Sequence, residues 1–162
     1  MYTEYPHKKF WSADFQDDRF RDALKTLSGP VDRPMLLYVH IPYCEQLCWF
    51  CTCHIAITRD YYKAKNYLGF LFQEIELFRD FFHEHSITPD FREIHLGGGS
   101  PTFLKKNEVK DLVAKLGSIV DIENLREFSL EIDPRRIDKE MLKFYHEVGI
   151  DRISFGIQDF DP

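Results

Sequence analysis

From Met35 onward, short apolar runs alternate with stripes of apolar residues spaced three and four apart, and this alternation restricts the fold more than any other feature. Met35 to Ile41 reads Met-Leu-Leu-Tyr-Val-His-Ile and is closed by Pro42, the pattern of a buried strand. Between about Tyr62 and His85, Leu68, Leu71, Phe72, Ile75, Phe78 and Phe82 form one helical stripe. Phe91 to Leu96 reads as a second strand, Val109, Leu112, Val113 and Leu116 mark a second helix, and Phe128 to Ile132 a third strand. Met141, Leu142, Tyr145 and Val148 give a third helix stopped by Gly149, and Arg152 to Ile157 a fourth strand. Strands separated by helices need crossover connections, so the expected fold is α/β, with a parallel sheet, right-handed crossovers and ligands at the carboxyl ends of the strands. Residues 1–34 are polar and aromatic, with one amphipathic stretch at Phe20, Leu24 and Leu27 before Gly29-Pro30, and read as an N-terminal arm ahead of the body at 35–162.

The chain has 162 residues, 44% of them hydrophobic, enough for a single domain with a real core. Its net charge of −6 comes from interspersed acids and bases with no basic run, which points away from nucleic acid or a membrane surface and toward a small-molecule substrate. No run approaches the roughly 18 apolar residues of a membrane span, and the first residues lack a signal-peptide pattern, so the expected location is cytoplasmic.

All four cysteines lie within one loop after the first strand: Cys44, Cys48, Cys51 and Cys53, followed by His54. A disulfide framework would scatter its cysteines to tie distant loops together; this packing points to a metal or a cluster. Thiolates are soft, charged donors, and a short loop lets several converge at little entropic cost. A structural zinc site built from three or four of these residues is one reading. The other is a four-iron, four-sulfur ([4Fe-4S]) cluster on three thiolates. Zinc sites usually pair two short hairpins at a distance, and no second pair exists here, which favours the cluster.

The spacing Cys44-Glu-Gln-Leu-Cys48-Trp-Phe-Cys51 matches the CxxxCxxC signature of radical S-adenosylmethionine (SAM) enzymes. Further motifs follow in order: Tyr38-Val-His-Ile-Pro-Tyr-Cys44, Cys51-Thr-Cys53, Gly97-Gly-Gly-Ser-Pro-Thr102, Glu131-Ile-Asp-Pro134 and Gly156-Ile-Gln158-Asp-Phe160. With Tyr2-Thr-Glu-Tyr-Pro6, these make the whole chain resemble the N-terminal part of the oxygen-independent coproporphyrinogen III oxidases. The resemblance implies a radical SAM (βα)6 partial barrel, of which 35–162 would hold the first three βα units and a fourth strand. It also implies that the family's further units and its substrate-covering domain would lie beyond this chain, leaving a fragment or a truncated gene product.

Other positions acquire roles through the same resemblance. Cys44, Cys48 and Cys51 would be the cluster ligands, leaving one iron for SAM, while Cys53 is present here and generally lacking in haem-chaperone-like relatives. Gly97-Gly98-Gly99-Ser100 ends the second strand; consecutive glycines allow close backbone approach or a plain turn, and such a loop can offer amides to a carboxylate. The family uses it for the methionine part of SAM, so Gly98, Gly99 and Ser100 carry that role, Ser100 replacing the usual threonine. Glu131, two residues before Asp133 and read as sharing its face of the third strand, is costly in an apolar strand without a partner. Pairing with Arg152 is the plain reading, and contact with SAM is what the resemblance implies. Tyr38 shares a face with His40; in the family the matching tyrosine lies against SAM and Phe50 packs beside it, while His40 is expected only to be near. Gln158 matches a glutamine of a second SAM site. His83, His85, His95 and His146 receive no role, and no catalytic residue is assigned.

The implied activity is oxidative decarboxylation of the propionates of coproporphyrinogen III to vinyl groups in haem synthesis, with a flavodoxin or ferredoxin as the kind of electron donor. A haem-binding chaperone-like paralogue and a non-catalytic fragment are the competing readings.

Overall fold

The structure, a computed structural model, describes residues 8–10, 12, 14, 16–27, 34–49 and 51–157. The expectations for Phe50, Gln158 and Tyr2 to Pro6 lie outside these residues. Among them, four parallel strands form the main sheet in the order β1 (Met35–Ile41), β4 (Phe91–Gly98), β5 (Glu127–Glu131) and β6 (Arg152–Ser154). A second, two-stranded parallel ladder pairs β2 (Tyr43–Cys44) with β3 (Ala56–Ile57). The helices α2 (Tyr61–Glu84), α3 (Lys106–Leu116) and α4 (Lys139–Glu147) fall between successive strands of the main sheet, as crossover connections require. This is the expected α/β architecture with a parallel sheet.

Strand periodicity decides what each face of the sheet carries. Val39, Ile41, Ile94, Leu96, Phe128 and Leu130 form one buried core with Leu68, Leu71 and Ile75 of α2, Val109, Leu112 and Leu116 of α3, and Phe144 and Tyr145 of α4. The helices therefore cover a single face. The alternate positions Tyr38, His40, His95, Ser129 and Glu131 belong to the other face, which no helix covers among the described residues.

Local signals set the helix boundaries. Asp60 caps α2 by accepting from Tyr62 N at 3.1 Å, and Asp138 caps α4 by accepting from Met141 N at 2.8 Å. Gly149, at φ +95°, ends the α4 segment where a side chain would be strained. Tyr67 of α2 donates to His40 O at 2.6 Å, tying the long helix to the ligand end of β1. The amphipathic stretch of the arm forms α1 (Asp17–Lys25), and Phe20 meets Phe78 of α2 edge-on with ring centroids 6.2 Å apart. No helix of the described residues is long and apolar enough to cross a membrane.

Two boundaries differ from expectation. β5 ends at Glu131, because Asp133 leaves the ladder to cap a short 3-10 turn, accepting from Arg135 N at 3.0 Å. β6 stops at Ser154 rather than Ile157.

Leu112 is fully buried in the core between sheet and helices, so Leu112→Ala is expected to cost about 2–5 kcal/mol in denaturant unfolding. Phe70→Ala, on the exposed side of α2, is expected to stay within about 0.5 kcal/mol of the parent.

Candidate functional site

The cysteine loop is closed by its own small ladder. Ala56 N donates to Pro42 O at 2.7 Å and Thr58 N donates to Cys44 O at 2.9 Å, so both ends of the loop are fixed at the carboxyl end of β1. Inside it, Cys51 N donates to Cys48 O at 3.2 Å. The four thiols share one electrostatic environment. Burial, then the charges of Cys48, Cys51 and Cys53, push the Cys44 thiol up to about 11. Cys53 is raised by burial, by Cys51 and by Glu131. Thiols that resist ionisation side by side become ready donors once a cation supplies the compensating charge, and its binding then releases their protons.

A guanidinium meets this loop from the far side. Arg135 Nη2 donates to Cys48 Sγ at 3.4 Å, while Asp133 holds the same guanidinium in a two-point ion pair at 2.8 and 2.7 Å. Hydrogen bonding to Arg135 keeps the Asp133 carboxyl below its usual range.

The glycine turn packs against the loop from the β4 side. Gly98 sits at φ +118°, and a Cβ on it would stand 2.8 Å from the His40 ring and 2.9 Å from Ile41 O. A Cβ on Gly99 would come 2.6 Å from Pro42 O and 3.0 Å from Cys44 Sγ. The amides expected to be offered to a ligand have protein partners instead. Gly98 N donates to Glu131 Oε2 at 3.1 Å, Gly99 N to Ile41 O at 2.9 Å and Ser100 N to Tyr43 O at 3.1 Å. The Ser100 hydroxyl, buried, lies 2.6 Å from that of Thr102. What these residues bring to the site is therefore close backbone approach.

On the open face of the sheet, Tyr38 Oη lies 3.0 Å from His40 Nδ1, and His40 Nε2 lies 2.9 Å from His54 O just beyond the last cysteine. Glu131 does not pair with Arg152, whose Nη1 holds both oxygens of Glu127 at 2.8 and 2.9 Å. Its partners are the Gly98 amide and His95, whose Nε2 is 3.1 Å from Glu131 Oε1. Burial, Glu131 and Cys53 raise the Tyr38 hydroxyl, so strand face and cysteine loop form one electrostatic unit. His95 and Arg135 were not expected here. The two-residue period of β4, which puts His95 beside Tyr38 in register, is the signal that reaches His95; no sequence pattern reaches Arg135.

The donor set fits an iron–sulfur cluster. Among the described residues, no three Cys, His, Asp or Glu side chains are close enough to share a single ion. A cubane does not ask this of them, because each thiolate takes an iron at its own corner. The fit rests on four cysteines gathered in one pinned loop, with a cation already hydrogen-bonded to one sulfur.

Comparison with known proteins agrees with this geometry. The chain belongs to the radical SAM superfamily, whose family model matches residues 38–162. Membership implies an iron–sulfur cluster and SAM. Within it, the chain is 38% identical over 160 residues to the oxygen-independent coproporphyrinogen III oxidase of Salmonella typhimurium, covering 99% of this chain and 34% of that protein. The enzyme of the same name from Escherichia coli K12 is 37% identical over the same length and coverage. The solved structure of coproporphyrinogen III oxidase from Escherichia coli, described as a radical SAM enzyme, superposes with a TM-score of 0.82, covering 99% of this chain and 35% of that one. The resemblance read from the motifs is thus borne out, and the chain spans about a third of the length of the curated relatives it matches.

The close approach at Gly99 gives a direct test. Gly99→Ala is expected to push the turn away from Pro42 and Cys44, an overpacking worth about 1–3 kcal/mol, and to lower iron and sulfide content after anaerobic reconstitution relative to the parent.

Proposed function

We propose that this chain supplies the cluster-holding and SAM-binding segment of an oxidase that converts propionate side chains of coproporphyrinogen III to vinyl groups. The observation that carries the proposal is the junction of the thiol loop with Tyr38 of β1 and Glu131 of β5 on the open face of the sheet, in a chain similar along nearly its whole length to such oxidases. Cys44, Cys48 and Cys51 would hold a [4Fe-4S] cluster through three irons, leaving the fourth to SAM. When bound, cluster and SAM supply a one-electron cleavage that yields an adenosyl radical.

The chain's own residues bind and orient. Arg135, hydrogen-bonded to Cys48 Sγ, offsets part of the negative charge of the thiolates. Glu131 would accept hydrogen bonds from hydroxyl or amino groups of SAM with the lone pairs that Gly98 and His95 leave open. Gly98, Gly99 and Ser100 would let the methionine part approach the backbone, and the Tyr38 ring would offer the cofactor an apolar face. Phe50, and Gln158 toward a second SAM, complete the proposed set. The porphyrinogen carboxylates would need cations outside the site described here. A cytoplasmic location and a flavodoxin or ferredoxin as electron donor belong to the same proposal.

Two measurements test this reading. After anaerobic reconstitution, Cys44→Ser, Cys48→Ser or Cys51→Ser is expected to abolish the cluster, whereas Cys53→Ser keeps its iron and visible absorption. Metal loss from Cys53→Ser equal to that from Cys48→Ser would contradict the three-ligand assignment. Glu131→Gln is expected to keep its iron while binding SAM about tenfold more weakly, the scale of one hydrogen bond to a charged group.

A further inference from the structure

The proposed function leaves the place of His95 unexplained, although its imidazole is one of the most tightly held groups on the open face. Nδ1 lies 2.7 Å from Ser129 Oγ, and Nε2 lies 3.1 Å from Glu131 Oε1. The ring stacks on that of Tyr38, with centroids 5.7 Å apart and planes 15° from parallel. In register, Tyr38, His95 and Ser129 are direct neighbours on three adjacent strands.

The hydrogen-bond inventory fixes the direction of the contact. An ionised carboxylate can only accept, so the proton of the His95–Glu131 bond sits on Nε2. Ser129 has one hydroxyl proton and two neighbours for it, Nδ1 of His95 and Ile94 O at 3.2 Å. Given to Nδ1, it leaves a neutral ring with its proton on Nε2; given to Ile94 O, it leaves an imidazolium. In both states Nε2–H points at Glu131.

Glu131 is thereby held at both oxygens, Oε1 by His95 and Oε2 by the Gly98 amide. The strand beneath this pair carries glycine. A Cβ on Gly97 would come within 3.0 Å of Glu131 Cδ, Glu131 Oε2 and His95 Nε2 together, so the pair can cross β4 only where no side chain stands. Without His95, a carboxylate whose side chain is 41% exposed would keep a single backbone tether and could swing toward solvent.

We propose that His95 is the positioning residue that sets the Glu131 carboxylate for SAM, with Tyr38 and Ser129 holding the imidazole in place. The proposal rests on the reading that Glu131 binds SAM. His95 acts through Glu131 and touches neither cluster nor cofactor in this scheme.

The test is anaerobic calorimetric titration of SAM into the reconstituted chain, with iron content and thermal melting followed in parallel. H95F keeps a ring to stack on Tyr38 but has no donor; H95Q keeps an N–H donor. H95F is expected to retain its iron and bind SAM roughly 5- to 10-fold more weakly, as for a lost hydrogen bond to a charged group. H95Q should recover part of that loss. In the E131Q background, H95F should add little, because both changes remove one interaction. Parent-like SAM binding by H95F beside a weakened E131Q would overturn the positioning role alone, as would fully additive losses. Parent-like binding by E131Q would overturn the reading of Glu131 and this inference with it. Should H95F lose iron or melt early, H95Q against His95→Leu provides the same comparison, and equal SAM affinity in those two variants would refute the inference.

Discussion

The two-residue period of β1, β4 and β5 is the constraint on which the site depends. It sends Val39, Ile41, Ile94, Leu96, Phe128 and Leu130 into the core beneath the helices. It leaves Tyr38, His40, His95, Ser129 and Glu131 on the face that no helix covers among the described residues. Because parallel strands place their carboxyl ends together, the same geometry brings that polar face up against the thiol loop following β1. A register slip of one residue in β4 would put Ile94 and Leu96 on the open face and bury His95 among leucines, so core and site are set by one choice.

Close backbone contact then joins the two halves. The loop is pinned by hydrogen bonds on either side of its cysteines, and the glycine turn after β4 lies so near Pro42 and Cys44 that a methyl group cannot be admitted. The turn's amides hold Glu131, Ile41 and Tyr43, making it a brace for the site more than a cradle of free donors. Burial and the neighbouring thiols oppose ionisation of Cys44 and Cys53, and a bound cation would supply the compensating charge.

Much of this was legible in the sequence. The apolar run at Met35 to Ile41 and the stripe from Leu68 to Phe82 located β1 and α2 almost to the residue, because burial of a continuous core writes its period directly into the chain. The cysteine spacing located the loop. Asp133 reads as a strand residue in sequence and is a cap in the structure, because the two look alike until the backbone turns. Arg152, the plain sequence partner for Glu131, pairs instead with Glu127, four residues earlier on the same strand face. His95 was passed over because a histidine between apolar residues carries no sign of its partner, which lies 36 positions away. Arg135 meets Cys48 across 87 positions, a contact that no local pattern encodes.

The central claim is that three thiolates hold a cluster whose remaining iron is open to SAM. Electron paramagnetic resonance of the anaerobically reconstituted, reduced chain, recorded with and without SAM, tests it most directly. The account predicts a reduced-cluster signal whose g-values shift on adding SAM and do not shift on adding adenosine, which lacks the amino and carboxylate groups that would reach the open iron. A cluster signal indifferent to SAM, or a colourless chain that takes up zinc in place of iron, would contradict it.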